Sequence, residues 1–260
     1  MAGAVTLDLW HTLIYLDPAA EEAYMRAQIE IAVDVLRAAP LAGPGPRPDD
    51  RALAELFRQS YRAAVDASEQ GRTITPDDQL LRAGREAGVR PDLSAYHAAL
   101  RRVIATLRFS RAPGAIETLR ALRGAGYRVA VISNTVGEPG ALLRPVLARM
   151  GLDECVERYV FSDESPWTKP APEIFRYALD GLGVSAVDAV HVGDGWADME
   201  GARRTGYRAT ILFTGLPDYG AEYRRLFARH GPESFAGRFS VRALTEVPAI
   251  VERVLGGAPR

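Results

Sequence analysis

Asp8, Ser133, Lys169, Asp194 and Asp198 are the residues whose types and positions suit a single reaction. Lys169 is the only lysine in a chain that otherwise uses arginine for positive charge. An ammonium is a compact point charge, whereas a guanidinium is a wide planar fork. A position that keeps lysine therefore suits close approach to something small and negative. Several carboxylates with few basic residues, and no His or Cys cluster, suit a hard oxygen-seeking cation, and Mg2+ fits best. Asp8 and Asp194 are the expected direct ligands. Asp198, four residues after Asp194, falls on the same helical face and binds the ion directly or through water. Mg2+ keeps open positions for phosphate oxygens. Lys169 and Ser133 then supply charge and a hydrogen bond to the rest of the phosphate. A carboxylate beside a cation and an ammonium serves as a covalent nucleophile. The chemistry is phosphoryl transfer by positioning and electrostatics.

The elements that position these residues are legible in the pattern. Ala4 to Trp10 reads as a short buried strand with a carboxylate at its end. Burying such a charge is costly without a task. Asp17-Pro18 reads as an N-cap with Pro at the first helical position, and the helix runs to about Ala39. Pro40 to Pro48 is a Pro/Gly-rich loop. Asp49 or Asp50, Thr75-Pro76 and Pro91-Asp92 start three more helices, the last reaching about Leu107. After Arg111-Ala112-Pro113-Gly114 helices and strands alternate. The expected strands are Tyr127 to Ile132, Tyr159 to Phe161, Ala189 to Val192 and Ala209 to Phe213. Strands separated by helices imply a parallel sheet with helices on both faces. The fold class is α/β, with an all-helical block inserted after the first strand. Ligands bind such sheets at the carboxyl ends of the strands. Asp8, Ser133-Asn134-Thr135, Ser162-Asp163-Glu164 leading to Lys169, and Gly193-Asp194 all follow strands. A merely solvated sheet edge would require four unrelated accidents on one side.

Composition excludes several other classes. At 260 residues the chain can bury a full core. Its net charge of −1 comes from arginines interleaved with acids, so nothing points to nucleic acid. The lone Cys155 excludes an internal disulfide, and its Asp153-Glu154 flank disfavours a thiolate nucleophile. No apolar run suits a bilayer span and the N-terminal residues do not read as a signal peptide. The expectation is a cytoplasmic monomer or homodimer acting on a small phosphorylated molecule, without nucleic acid or membrane partners. Gly181-Leu182-Gly183 follows a helix and lacks a third glycine, so it is no dinucleotide loop.

The motifs resemble the haloacid dehalogenase-like hydrolase superfamily. The matching stretches are Asp8-Leu9-Trp10-His11-Thr12-Leu13, Val131-Ile132-Ser133-Asn134, Lys169-Pro170-Ala171-Pro172-Glu173-Ile174-Phe175, and His191-Val192-Gly193-Asp194-Gly195-Trp196-Ala197-Asp198 with Gly201-Ala202. The resemblance implies a Rossmann-like core over residues 1–16 and 111–260 and a helical cap over 17–110. It implies Asp8 as nucleophile, Ser133 and Lys169 on the phosphate, and Asp8, Asp194, Asp198 and the Trp10 carbonyl on Mg2+. Thr12, Asn134, His11 and Trp10 are the expected substrate-binding residues.

One departure matters. Phosphatases of this superfamily carry a second Asp two residues after the nucleophile, as general acid. Here that position is Trp10, and general acid catalysis is worth about 100- to 10,000-fold. Three consequences stand open. The leaving group needs no proton, another residue such as His11 supplies it, or the protein is a slow or silent binding protein. The dehalogenase branch also has an aromatic there, but places Ser and Asn where this chain has Gly193-Asp194. Two carboxylates without a cation repel each other and an anionic substrate, so Asp194 and Asp198 argue against a 2-haloacid. The phosphonate-hydrolysing branch needs a lysine in the cap, and this chain has none there. All three tryptophans, Trp10, Trp167 and Trp196, fall in expected catalytic loops, either packed under the cap or forming a wall for substrate. Tyr24, Arg26 and Arg62 lie on the expected cap helices, either solvated or flanking the core there or reaching down to the substrate.

Overall fold

The computed structural model describes residues 3–216, 228–231, 233 and 236–256. The other positions of the expected core range lie outside the described residues. Six parallel strands form the sheet, in the order β5-β4-β1-β6-β7-β8. They are β1 (Ala4–Leu7), β4 (Arg128–Ser133), β5 (Arg158–Phe161), β6 (Ala189–Gly193), β7 (Ala209–Phe213) and β8 (Phe239–Val241). Strand β1 lies in the middle, pairing Leu7 with Val131 on one side and Val192 on the other. That register puts the residue after β1 between the ends of β4 and β6.

Both faces of the sheet are covered, as the near-continuous apolar strands require. The side chains of Val5, Leu7, Val129, Val131, Val190 and Val192 join one core. Over that face lie α5 (Ala115–Gly124), α6 (Gly140–Arg149) and α9 (Val247–Leu255). Ala4, Ala130, Ile132 and Ala189 point the other way, into a second core under α7 (Pro172–Leu182) and α8 (Trp196–Thr205). The period of two along each strand thus divides the core in two. Helices α7 and α8 approach closely because Gly201 has no side chain. A Cβ there would lie 2.1 Å from the Phe175 ring.

Between the first strand and the rest of the sheet come α1 (Pro18–Ala38), α2 (Asp50–Glu69), α3 (Pro76–Glu86) and α4 (Leu93–Thr106). Each begins at the expected cap. The Asp17 carboxylate accepts from the Ala20 N–H and the Asp49 carboxylate from the Ala52 N–H. Thr75 and Asp78 form a reciprocal capping box, and Asp92 accepts from Ser94 and Ala95. These helices share their own core around Leu36, Leu53, Phe57, Leu80, Tyr96 and Leu100. The chain enters and leaves the block through a short antiparallel pair, β2 (Ile14–Tyr15) with β3 (Ser110–Arg111). That pair, β8 and α9 were not anticipated from the sequence pattern. Trp10 and Phe109 pack against both the sheet core and the helical core. No helix among the described residues is long and apolar enough to cross a membrane.

Gly201→Ala should force α7 and α8 apart and cost about 1–3 kcal/mol, as overpacking of a filled core does. Urea unfolding with an unchanged slope measures it; no loss of stability would refute the close-packing account.

Candidate active site

Asp8 leaves β1 with its N–H donated to the Val192 carbonyl at 2.8 Å, which anchors it to the neighbouring strand. Its carboxylate is buried and accepts from the Lys169 ammonium. The Lys169 Nζ also donates to Asp198 Oδ1 at 2.7 Å. Lys169 therefore bridges two carboxylates that lie far apart in the sequence. A carboxylate oxygen from each of Asp8, Asp194 and Asp198 lies within 4.8 Å of the others, a spacing that fits one divalent cation. Thr12 Oγ1 donates weakly to Asp8 Oδ2 at 3.4 Å.

The electrostatics agree with a missing positive charge. Burial pushes the Asp8 carboxyl up to about 6, against the opposing pull of Lys169. Desolvation, then the charges of Asp8 and Asp198, push Asp194 well above the usual carboxylate range. Burial also opposes the Asp198 carboxylate, but Lys169 and His191 outweigh it and hold it down at about 2. Burial disfavours the Lys169 charge too, yet Asp198 and Asp8 together raise it. Two carboxylates share one ammonium, and Asp194 stands close to both without an ion pair among the described residues. A hard cation among oxygen donors supplies what they lack.

Further residues position these groups. Asn134 clamps the Lys169 backbone. Its Oδ1 accepts the Lys169 N–H at 2.8 Å and its Nδ2 donates to the Lys169 carbonyl at 2.9 Å. The same Nδ2 donates to Ser68 Oγ of α2 at 3.1 Å. Asn134, expected to bind substrate, thus acts first as a brace between loops. His191 was not foreseen as part of the site. Its Nε2 meets Asp198 Oδ1 at 3.1 Å and its Nδ1 meets Thr6 Oγ1 at 2.7 Å. The signal was present, since His191 is the one polar side chain in an apolar strand. The Gly195 N–H donates to Asp198 Oδ2 at 3.1 Å, so both oxygens of Asp198 are held. Ser133 is fully buried, and its Oγ has no hydrogen-bond partner among the described residues. Buried hydroxyls rarely stand unpaired, and a phosphate oxygen would satisfy this one.

Beside this cluster a cavity of about 200 Å3 opens between sheet and helices. Trp10, His11, Tyr24, Tyr61, Asn134 and Glu138 line it. The Trp10 indole N–H donates to the Glu138 carboxyl, which burial pushes up to about 8. Glu138 had no signal in the sequence: it lies in a Gly-Glu-Pro turn without a pattern. His11 adopts a left-handed backbone (φ 58°), and burial lowers its imidazole to about 4. That direction disfavours a protonated imidazole, the form that general acid catalysis by His11 would need. Among the residues of the inserted helices, Tyr24 faces this cavity, Arg26 pairs with Glu22 on the surface, and Arg62 pairs with Glu55. Trp167 is exposed on the Lys169 loop, bridged through its backbone to Arg72. Trp196 is buried and stacks on His230 with ring centroids 3.7 Å apart.

The sequence model of a haloacid dehalogenase-like hydrolase matches residues 2–206. The chain is similar to a plasmid phosphoglycolate phosphatase of Cupriavidus necator, 34% identical over 139 residues that cover 54% of each chain. It is also similar to (S)-2-haloacid dehalogenase 4A of Burkholderia cepacia, 34% identical over 100 residues, 38% of this chain and 42% of that one. These matches span about half the length of the curated relatives or less. Its fold is similar to that of a HAD phosphatase from Thermococcus onnurineus, with TM-score 0.61 and 21% identity over 99% of each chain. It is similar again to the L-2-haloacid dehalogenase of Xanthobacter autotrophicus, with TM-score 0.55 and 20% identity over the whole of both chains.

Glu138 generates a pH-dependent prediction. Its folded pKa lies above the ordinary value, so the native state keeps a proton that the unfolded chain has lost. Its contribution to stability is present below about 4.5 and is lost as pH rises through about 8. Glu138→Gln should therefore match wild type near pH 4.5 and melt about 3 °C or more above it at pH 8.5. Equal melting curves at both pH values would show that Glu138 is not held protonated.

Proposed function

We propose that this chain, which belongs to the haloacid dehalogenase-like hydrolase family, is a Mg2+-dependent phosphatase of a small phosphorylated metabolite. One observation carries the reading: Asp8 and Asp198 share the Lys169 ammonium, and Asp194 lies beside them at a spacing that suits one cation. The relatives named phosphoglycolate phosphatase support a phosphatase. Asp8, Asp194, Asp198 and the Trp10 carbonyl would hold the ion. When bound, Mg2+ neutralises charge on the phosphoryl oxygens and orients them against Asp8. Lys169 and the Ser133 hydroxyl, which has no hydrogen-bond partner among the described residues, bind the remaining oxygens. An Asp8 oxygen attacks phosphorus, the bond to the leaving oxygen breaks, and an aspartyl-phosphate forms. Water then attacks phosphorus, releasing phosphate and restoring the Asp8 carboxylate. Thr12 steadies Asp8, while Trp10, His11 and Asn134 face the substrate. Helices over 17–110 act as the cap above a core formed by 1–16 and 111–260. The protein works in the cytoplasm, as a monomer or homodimer.

The leaving oxygen receives no proton from position 10. Indole is no acid, and its N–H is already directed at Glu138. Phosphates with good leaving groups, such as acyl and aryl esters, are therefore the better substrates. The aromatic at Trp10 also suits the dehalogenase reading, which requires halide release without metal.

Phosphate release with Mg2+ from acyl, aryl, sugar and alkyl phosphates tests this. Asp8→Asn should lower turnover by about 1,000-fold or more while the fold survives. Full activity in Asp8→Asn, or halide release that resists EDTA, would overturn the reading. Trp10→Asp restores a carboxylic acid beside the leaving oxygen and should raise alkyl phosphate turnover about tenfold or more, within the range of general acid catalysis. An unchanged alkyl-to-aryl ratio would mean that proton donation does not limit the rate.

A further inference from the structure

The end of α2 is shaped for close approach to the loop that carries Lys169. Gly71 takes the left-handed conformation (φ 75°) just past the helix. Its N–H donates to the Ser68 carbonyl at 2.8 Å, and the Arg72 N–H donates back to the Ala67 carbonyl at 2.9 Å. This is a Schellman ending, which favours glycine at the turning position and fixes the last turn of the helix. The turn lies directly against the lysine loop. A Cβ on Gly71 would stand 2.9 Å from the Ala171 Cβ. The Gly71 carbonyl accepts from the Thr168 N–H in a long bond of 3.4 Å, and Arg72 forms a backbone bridge with Trp167. The hydroxyls of Ser68 and Thr168 lie 3.5 Å apart, with Thr168 buried. Residues on both sides of Lys169 therefore rest on this one turn.

The contact reaches Lys169 itself through Asn134. A carboxamide offers one acceptor oxygen and two donor hydrogens. Here the oxygen takes the Lys169 N–H, and the nitrogen donates both to the Lys169 carbonyl and to Ser68 Oγ. Turning the amide end for end would set donor against donor and acceptor against acceptor on the Lys169 backbone. Ser68 takes up the remaining amide hydrogen and so fixes the plane of the clamp. We propose that Ser68 is a positioning residue for Lys169, and that the end of α2 sets where the ammonium sits between Asp8 and Asp198. Lys169 reaches those carboxylates from a loop, so no strand or helix ladder holds its backbone. A displacement of about 1 Å in a group that meets the transition state can cost about 100-fold in rate. The proposal deepens the phosphatase reading and rests on it for the reaction; the brace itself does not.

The single lysine makes the brace measurable without turnover. The full chain made with isotope-labelled lysine gives one backbone amide signal by NMR, that of Lys169. Its hydrogen exchange reads the bond to Asn134. Ser68→Ala should speed that exchange about fivefold, the factor that one net hydrogen bond supplies. Alanine is the better helix former, so the melting temperature should not fall. Ser68→Thr keeps the hydroxyl and should restore the wild-type rate. Unchanged exchange in Ser68→Ala, or faster exchange matched by a fall in global stability, would overturn the brace. The second arm measures hydrolysis of para-nitrophenyl phosphate with Mg2+, whose leaving group departs without a proton. Ser68→Ala should lower kcat about fivefold and leave KM within about twofold, and Ser68→Thr should recover kcat. A change in KM alone, or an unchanged kcat beside faster exchange, would overturn the positioning role. Exchange as expected, in a wild type that hydrolyses no phosphate, would uphold the brace and overturn the phosphatase reading.

Discussion

The Lys169 ammonium, set between the carboxylates of Asp8 and Asp198, is the contact on which the site depends. Each partner comes from a different strand end, so the bridge forms only when β1, β6 and the loop after β5 are assembled. Asn134 clamps the Lys169 backbone from the end of β4. His191, inside β6, holds Asp198 from below, and Thr6 of β1 holds His191. The bridge leaves the account unbalanced: two negative charges meet one positive charge, and Asp194 brings a third negative charge close by. Burial first, and then the neighbouring carboxylates, push Asp8 and Asp194 upwards. A buried cluster of this kind is destabilised unless protons or a cation complete it. On the proposed reading, the same need makes the cluster a place for a divalent ion.

The second constraint comes from Trp10. It stands where the family's phosphatases place their acid, and it joins the sheet core to the helical core. Its indole N–H turns towards Glu138, away from any role as a proton donor. The same side chain thus removes a catalytic group and builds a wall of the cavity. On the proposed reading, loss of the acid and gain of an aromatic wall come with one side chain, and both favour leaving groups that depart readily.

Much of the frame was legible in the sequence because its signals are local. Asp17, Asp49, Thr75 and Asp92 declare helix starts by hydrogen bonds a few residues away. The strands of the core are short apolar runs ending in polar residues, and the polar ends are the site. Asp8, Lys169, Asp194 and Asp198 were named from spacing, and the fold brings them together. What was missed depends on long-range contact. Strands β2 and β3 are two residues each and exist only as partners across the helical insert. Glu138 acquires its meaning from a ring 128 positions earlier in the chain. The brace role of Asn134 and the neutral state of His11 follow from burial, which a single sequence does not display.

Calorimetric titration of Mg2+ into the metal-free chain tests the central claim most directly. Carboxylates held protonated by crowding must release protons when a cation takes their place. The account predicts one ion per chain, with proton release near pH 6 seen as a dependence of the heat on buffer, and loss of binding in Asp194→Asn. Absence of binding, or binding that Asp194→Asn leaves untouched, would contradict it.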